Sequence, residues 1–90
     1  MAKVRIPTPL RTFTGNQDEV SIAGATVGEV LRTLDAQHPG IGARLFDDKG
    51  KLKRYVNVFL GEEDVRYLQA LDTPVREGDR ISIIPAIAGG

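Results

Sequence analysis

Apolar and polar residues alternate in several separate stretches of this chain, as they do in strands that bury one face. Strands are predicted at residues 3–6, 19–22, 55–60 and 80–84. A short further strand is predicted at residues 65–67, after a turn of glycine and acidic residues at 61–64. In the strand at 55–60, Val56 and Val58 form the aliphatic face, and Tyr55 and Phe59 belong to the opposite face.

One stretch has the periodicity of an amphipathic helix instead. Thr26 is predicted to be the N-cap, and Glu29 three residues later completes a capping box. Apolar residues at 27, 30, 31 and 34 then form one stripe along the helix. The helix is predicted to end at His38, because proline disfavours helical geometry in the residue before it. His38 is interpreted as a helix-end residue rather than a metal ligand.

The connecting segments are predicted mostly from proline and glycine. Pro7 and Pro9 exclude a central helix after the first strand, and residues 11–16 are predicted as a loop. The apolar spacing at 41–46 favours a short helical turn under the core. Residues 68–75 are predicted to be irregular, because Pro74 prevents a long helix.

The predicted order is strand, strand, helix, strand, short strand, strand. This order is typical of an α+β domain: a mixed sheet of four to five strands with one main helix on one face. The right-handed crossover rule favours a parallel pairing of the first and last strands. That is the β-grasp, or ubiquitin-like, arrangement, with the last strand inside the sheet. Residues 1–85 are predicted to form this domain, and residues 86–90 a flexible C-terminal tail.

Composition narrows the classes of function. With 90 residues, the chain is one small domain. It has no cysteine, so a catalytic thiol or thiolate-bound metal of its own is excluded. Twelve basic and twelve acidic residues balance, which argues against a nucleic-acid or membrane partner. We therefore expect a cytoplasmic domain without a metal or cofactor, and interpret the acidic run at 62–64 as a solvated turn.

The last residues suggest a chemical role. Pro85 cannot donate to a sheet ladder and marks where pairing should stop. Small residues follow it and lead to Gly89 and Gly90, which lack Cβ and fit a slot too narrow for other residues. The tail thus offers a terminal carboxylate on a slim arm, which suits a group that another enzyme activates. A final Gly-Gly pair is by itself a weak motif.

Residues 75–90 have a Gly-Asp turn, an alternating strand, a proline and a terminal Gly-Gly. In these features the chain resembles the ubiquitin-like sulfur carriers of the MoaD/ThiS family, and Val56-Asn57 is similar to the Val-Asn of the molybdopterin synthase small subunit. The likeness to CysO-type carriers of thiocarboxylate-dependent cysteine biosynthesis is closer. It includes Ile6-Pro7-Thr8, Tyr55-Val56-Asn57, Glu63-Asp64-Val65-Arg66 and residues 85–90.

The resemblance implies that this chain is a protein co-substrate rather than an enzyme. An E1-like adenylyltransferase, using ATP and Mg²⁺, would join Gly90 to AMP, and a sulfur donor would convert it to a thiocarboxylate. The sulfur acceptor would be a cysteine synthase that uses O-phosphoserine or, alternatively, the molybdopterin synthase large subunit. Two other classes remain open: a ubiquitin-like modifier that forms isopeptides through Gly90, and a passive β-grasp binding module.

Partner-binding residues are predicted in two places. Gly89 and Gly90 enter the partner's active site, and Pro85, Ala86, Ile87 and Ala88 are expected to contact the partner along the tail. On the sheet face opposite the helix, Phe59 and Ile84, together with Tyr55, would form an exposed apolar patch unless loops cover them. Arg54, Arg76 and Arg80 are candidates for charge pairing, although the favoured interpretation of each is a solvated surface residue.

Overall fold

Five strands form one mixed sheet in the spatial order β2-β1-β5-β3-β4, and two α-helices accompany it. The computed structural model describes residues 1–85. The strands are β1 (Ala2–Arg5), β2 (Glu19–Ile22), β3 (Val56–Leu60), β4 (Glu63–Asp64) and β5 (Arg80–Pro85). The helices are α1 (Val27–Gln37) and α2 (Gly42–Leu45), and 3₁₀ helices occur at Thr8–Thr14, Val65–Tyr67 and Ala70–Asp72.

The pairing of the strands confirms the predicted β-grasp fold. Strand β1 runs antiparallel to β2 and parallel to β5, so that Val4 lies opposite both Val20 and Ile81. On its other side β5 pairs antiparallel with β3, and Ile83 lies opposite Val58. The last strand therefore lies in the middle of the sheet, with hydrogen-bonded neighbours on both sides.

One face of the sheet and the apolar stripe of α1 enclose the core. Val4, Ile22, Ile81 and other strand residues pack there with less than 4% of their surface exposed. The stripe of α1 consists of the residues that the periodicity predicted, namely Val27, Val30, Leu31 and Leu34, and all four are fully buried. Such burial of apolar area is the main source of stability in a domain of this size.

The start of α1 is capped as predicted. The Thr26 hydroxyl oxygen accepts a hydrogen bond from the Glu29 N–H at 3.2 Å. The Glu29 carboxylate in turn accepts from the N–H of Ala25, one residue before the N-cap, also at 3.2 Å. Two backbone donors that the helix leaves unpaired are thereby satisfied. At the other end His38 is the C-cap, and its N–H donates to the Leu34 carbonyl.

The prediction of a short strand at residues 65–67 is wrong. The short strand is β4, at Glu63–Asp64, within the segment predicted as a turn, and Leu60 pairs directly with Glu63. Gly61 adopts a left-handed conformation (φ 63°), which closes a two-residue hairpin loop. The Asp64 side chain then accepts from the N–H of Arg66 at 2.9 Å and starts a 3₁₀ helix at Val65–Tyr67.

Two further segments are more regular than predicted. A 3₁₀ helix spans Thr8–Thr14, where a loop was expected. Pro9 lies in its first turn, where the missing N–H removes no hydrogen bond, so the prolines exclude a continuous α-helix but not this shorter form. A second 3₁₀ helix, Ala70–Asp72, lies in the region predicted to be irregular. It packs closely on α1: a Cβ at Gly28 would lie 3.1 Å from the Leu71 carbonyl oxygen.

Candidate functional site

The tail leaves the domain from the end of the central strand. Strand β5 extends through Pro85, which lies opposite Val56 of β3 and is the last residue described. Pro85 is thus the last ladder residue within the described part of the chain. The predicted contact and acyl-terminal residues Ala86, Ile87, Ala88, Gly89 and Gly90 lie outside the described residues. The predicted boundary between domain and tail, between residues 85 and 86, stays a prediction.

An apolar groove of about 440 Å³ opens beside Pro85 on the core side of the sheet, and we call it the tail-base groove. Its walls come from separate elements: the 3₁₀ helix after β1, helix α2, and the segment before β3. The lining residues are Pro7, Pro9, Leu10, Arg44, Leu45, Tyr55, Val56, Ile83 and Pro85. Tyr55 is 43% exposed and forms part of this wall. The groove is an accessible apolar surface at the foot of the tail.

A second concavity of about 480 Å³ lies on the other side of Pro85, and we call it the arginine concavity. Arg5 of β1 and Arg11 of the first 3₁₀ helix line it, together with Ile84. The Arg11 Nε donates to the carbonyl of Ile6 at 3.0 Å, which fixes the side chain at the edge of the sheet. Among the described residues that line the tail-base groove and this concavity, none is acidic.

Phe59 and Ile84 lie on the sheet face opposite α1, since Val58 and Ile83 beside them point into the core. Ile84 is 49% exposed. Phe59 is less exposed than Ile84, and it lies opposite Ser82 and Asp64 on the neighbouring strands. Tyr55 lies in the tail-base groove rather than beside them. The predicted patch is therefore divided between two sites, and its role in partner binding stays a prediction.

The side chain of Arg66 connects the 3₁₀ helix at Val65–Tyr67 to the start of β3. Its Nη2 donates to the backbone carbonyls of Lys53, Arg54 and Val56 at 3.0, 2.9 and 2.7 Å. Its Nη1 donates to the Asn57 Oδ1 at 2.9 Å. This network holds in place the segment that contains Tyr55, and so it shapes one wall of the tail-base groove.

The turn after α2 contains the carboxylate with a shifted pKa. The Asp47 Oδ1 accepts from the backbone N–H groups of Lys51 at 3.0 Å and Lys49 at 2.9 Å. The bond from Lys51 and then that from Lys49 lower the pKa of Asp47 below its ordinary value, because both stabilise the ionised form. This carboxylate is exposed and stabilises the turn.

Other candidates from the sequence have structural roles. In the acidic run, Glu63 and Asp64 form strand β4, and Asp64 caps the next 3₁₀ helix. The Arg80 Nε lies 3.8 Å from the Glu19 Oε1 of the edge strand β2, which β1 separates from β5. Within residues 1–85 there is no group of three or more possible metal-ligating side chains of His, Cys, Asp or Glu. No helix in the same range is long and apolar enough to cross a membrane.

Sequence reasoning found the outward residues Phe59 and Ile84 but missed the tail-base groove and the Arg66 network. The groove combines residues that are distant in the chain, and only the two prolines at its rim offered a signal. The Arg66 acceptors are mostly backbone carbonyls, which have no signature in the residue types. The Glu63-Asp64-Val65-Arg66 segment was noted for its resemblance alone.

Comparison with known proteins identifies the family to which the chain belongs. The model of the ThiS family matches residues 4–90. The sulfur carrier protein CysO of Mycobacterium tuberculosis is 47% identical over 89 residues, which cover 97% of this chain and 96% of CysO. The small archaeal modifier protein 3 of Haloferax volcanii is 42% identical over 66 residues, 73% of this chain and 71% of the modifier.

Solved structures agree with the observed fold. CysO in the BexX/CysO complex of Amycolatopsis orientalis superposes with a TM-score of 0.93 and 44% identity, and all of both chains is covered. The crystal structure of Mycobacterium tuberculosis CysO gives 0.91 and 44%, over 97% of this chain and all of the other. Fold and relatives together define a ubiquitin-like sulfur carrier. The chain belongs to the ThiS family.

Proposed function

We propose that Gly90 of this chain is adenylated by an E1-like enzyme and converted to a thiocarboxylate whose sulfur is used to make cysteine. The observation that carries this proposal is the 47% identity with a sulfur carrier named CysO along almost the whole length of both chains. The resemblance first noted in residues 75–90 is thus accompanied by a similar domain. The anchoring of the tail on the central strand β5 supports the same proposal.

The proposed activation solves a chemical problem of the carboxylate. A carboxylate is a poor acyl donor because oxide is a bad leaving group. Attack of a Gly90 oxygen on the α-phosphorus of ATP releases pyrophosphate and gives an acyl adenylate, whose leaving group is AMP. A persulfide sulfur of the partner then forms a bond to the acyl carbon as AMP departs. A second thiol of the partner opens the resulting S–S bond and releases the thiocarboxylate.

In this scheme the catalytic groups, ATP and Mg²⁺ belong to the partner enzymes. The domain contributes binding energy that orients the tail, which converts an encounter between two molecules into a reaction of positioned groups. Ala86, Ile87 and Ala88 bridge the rigid end of β5 and the reacting Gly90. We propose that Gly89 and Gly90 enter a channel too narrow for side chains.

The first experiment measures activation. Purified chain, ATP, Mg²⁺ and the E1-like enzyme of the same organism are combined with a persulfide donor, and the intact protein mass is recorded. We expect a sulfur-for-oxygen mass gain located on Gly90. A matched control extended by one alanine after Gly90 should gain no sulfur. Equal sulfur gain by the extended chain would contradict the proposal.

The second experiment identifies the acceptor. The thiocarboxylate form is supplied to a cysteine synthase with O-phosphoserine and, separately, to a molybdopterin synthase large subunit with its precursor. We expect cysteine to form. Formation of molybdopterin without cysteine would reassign the pathway, an outcome that fits the 30% identity with the molybdopterin synthase sulfur carrier subunit of Pyrenophora tritici-repentis.

A second candidate function is protein modification, and the similarity to small archaeal modifier protein 3 favours it. Both functions begin with the same acyl adenylate and differ in the nucleophile: sulfur in one, a lysine amine in the other. Proteolysis of proteins from the source cells, followed by mass spectrometry, distinguishes them. Trypsin cleaves after Arg80, so lysines that carry residues 81–90 as a branch ending in Gly-Gly, and lose that branch when Gly90 is deleted, would demonstrate modification.

A further inference from the structure

The two concavities at the foot of the tail share both a wall and a charge pattern. Pro7, Ile83 and Pro85 line both, so they form one surface that surrounds the point where the tail leaves β5. The floor on one side is apolar, with prolines and Tyr55. Arginines flank it: Arg44 in the tail-base groove, and Arg5 and Arg11 in the arginine concavity.

These arginines form no ion pair within residues 1–85, although Glu19 lies directly opposite Arg5 on strand β2. The ion pairs within residues 1–85 join the N-terminus to Glu77 and Arg80 to Glu19, and neither involves a lining arginine. Arg5 and Arg44 are exposed, and the Arg44 guanidinium lies 5.9 Å from the ring centroid of Phe13. The described lining of the two concavities is thus positively charged, in a chain of zero net charge.

We propose that this surface is a docking site for an acidic, aromatic segment at the channel mouth of the adenylating enzyme. An apolar or aromatic side chain of that segment enters the tail-base groove, and carboxylates beside it pair with Arg5 and Arg44. The inference rests on the proposed function, because it identifies the surface that the activating enzyme recognises. Charge complementarity selects this occupant, since the site presents cations around an apolar floor and the lining residues described include no acid.

The proposed docking site lies at the base of the tail, where the activating enzyme must approach. Any enzyme that takes Gly90 into a narrow channel brings the channel mouth against the base of the tail. Opposite charges at that place accelerate the encounter and orient it, and the apolar contact holds the complex afterwards. The site thereby adds recognition of the domain to recognition of the tail.

The charge test uses double variants of the full chain. Arg5→Gln/Arg44→Gln removes two charges at the site, and Arg32→Gln/Lys51→Gln removes two exposed charges elsewhere. The readout is pyrophosphate release by the purified E1-like enzyme as carrier concentration varies. We expect the site variant to raise KM about fivefold or more at low salt with kcat nearly unchanged, and the control to match the wild type. The difference should shrink at about 0.3 M salt, where screening shortens the Debye length.

The apolar test uses the two tyrosines as a matched pair. Tyr55 forms a wall of the groove, whereas Tyr67 is 87% exposed and lies outside it. Tyr55→Ser is expected to raise KM about tenfold and Tyr67→Ser to leave it unchanged, as for a side chain that contributes a central contact. Circular dichroism of all variants shows that the fold is retained.

Each outcome decides between interpretations. If the wild-type chain supports no pyrophosphate release, the proposed function fails, and this inference fails with it. If the wild type is adenylated but the site variants match their controls in KM, the inference alone is overturned. The groove could instead hold the chain's own Ile87. Nuclear Overhauser contacts between Ile87 and Tyr55 in the free full-length chain would demonstrate that occupant and overturn the inference, whereas loss of solvent access to Tyr55 only on enzyme addition supports it.

Discussion

The Arg66 network allows the most informative stability prediction, because one side chain donates hydrogen bonds to four acceptors. Substitution Arg66→Ala removes the bonds to three backbone carbonyls and to the Asn57 side chain. Water replaces the guanidinium at the exposed acceptors, so their loss costs little. The bond to the Val56 carbonyl is different: it is partly buried and 2.7 Å long, and its donor is charged. A hydrogen bond of this kind contributes about 1.5–3 kcal/mol.

We therefore expect Arg66→Ala to lower the free energy of unfolding by about 2 kcal/mol, mostly through this one bond. For a domain of this size, each kcal/mol shifts the melting temperature by about 4–8 °C, so the expected decrease is roughly 8–16 °C. Arg66→Lys should give an intermediate loss, because a point-charged ammonium cannot reproduce the planar fork of donors.

Urea unfolding followed by circular dichroism measures the effect, with thermal unfolding as a second readout. The control is Arg32→Ala, an exposed helix arginine without such a network, for which the change should stay within about 0.5 kcal/mol. If Arg66→Ala has the same midpoint as this control, the Val56 bond contributes nothing and the reasoning is wrong. A change in the slope of unfolding would instead indicate an altered denatured state.

Three smaller predictions concern the scaffold, and each is measured by urea unfolding. Thr26→Ala should cost about 1 kcal/mol by removing the side-chain acceptor of the Glu29 N–H, whereas Thr26→Ser should cost much less. Ile81→Val, fully buried in β5, should cost about 0.5–1.5 kcal/mol, and no loss would contradict close packing there. The folded pKa of Asp47 is lowered, so its contribution is complete above its ordinary pKa of 3.8 and is lost as the pH falls through the folded value. The stability advantage of the wild type over Asp47→Asn should accordingly narrow between about pH 5 and pH 2, and a constant difference would refute this assignment.

The elements that the sequence predicted correctly are those whose side chains face the core. The stripe on α1 and the alternation in β1, β3 and β5 reflect burial directly, so that periodicity and topology agree. The capping box was readable because both partners, Thr26 and Glu29, are local side chains.

The false strand at residues 65–67 shows where such reasoning fails. Val65 and Tyr67 alternate with Arg66 in the manner of a strand, but Tyr67 is 87% exposed and the alternation does not report burial. The Asp64 side chain accepts a local hydrogen bond from the Arg66 N–H, and this bond favours the 3₁₀ helix over sheet pairing. The tail-base groove and the Arg66 network were equally unreadable, because one depends on tertiary assembly and the other on backbone acceptors.

The position of β5 suits the proposed function, in which the C-terminus of a small domain reacts inside another protein. An edge strand would hold the tail by one ladder and would fray when a partner draws the tail away. Strand β5 is paired with β1 over residues 80–82 and with β3 over residues 81–85, and Ile81 and Ile83 anchor it in the core. In the proposed complex, a partner that binds the surface around Pro85 therefore fixes the first residue of the tail relative to the partner's active site. In the proposed reaction the partner then has only residues 86–90 left to position, so less of the binding energy is lost to conformational entropy.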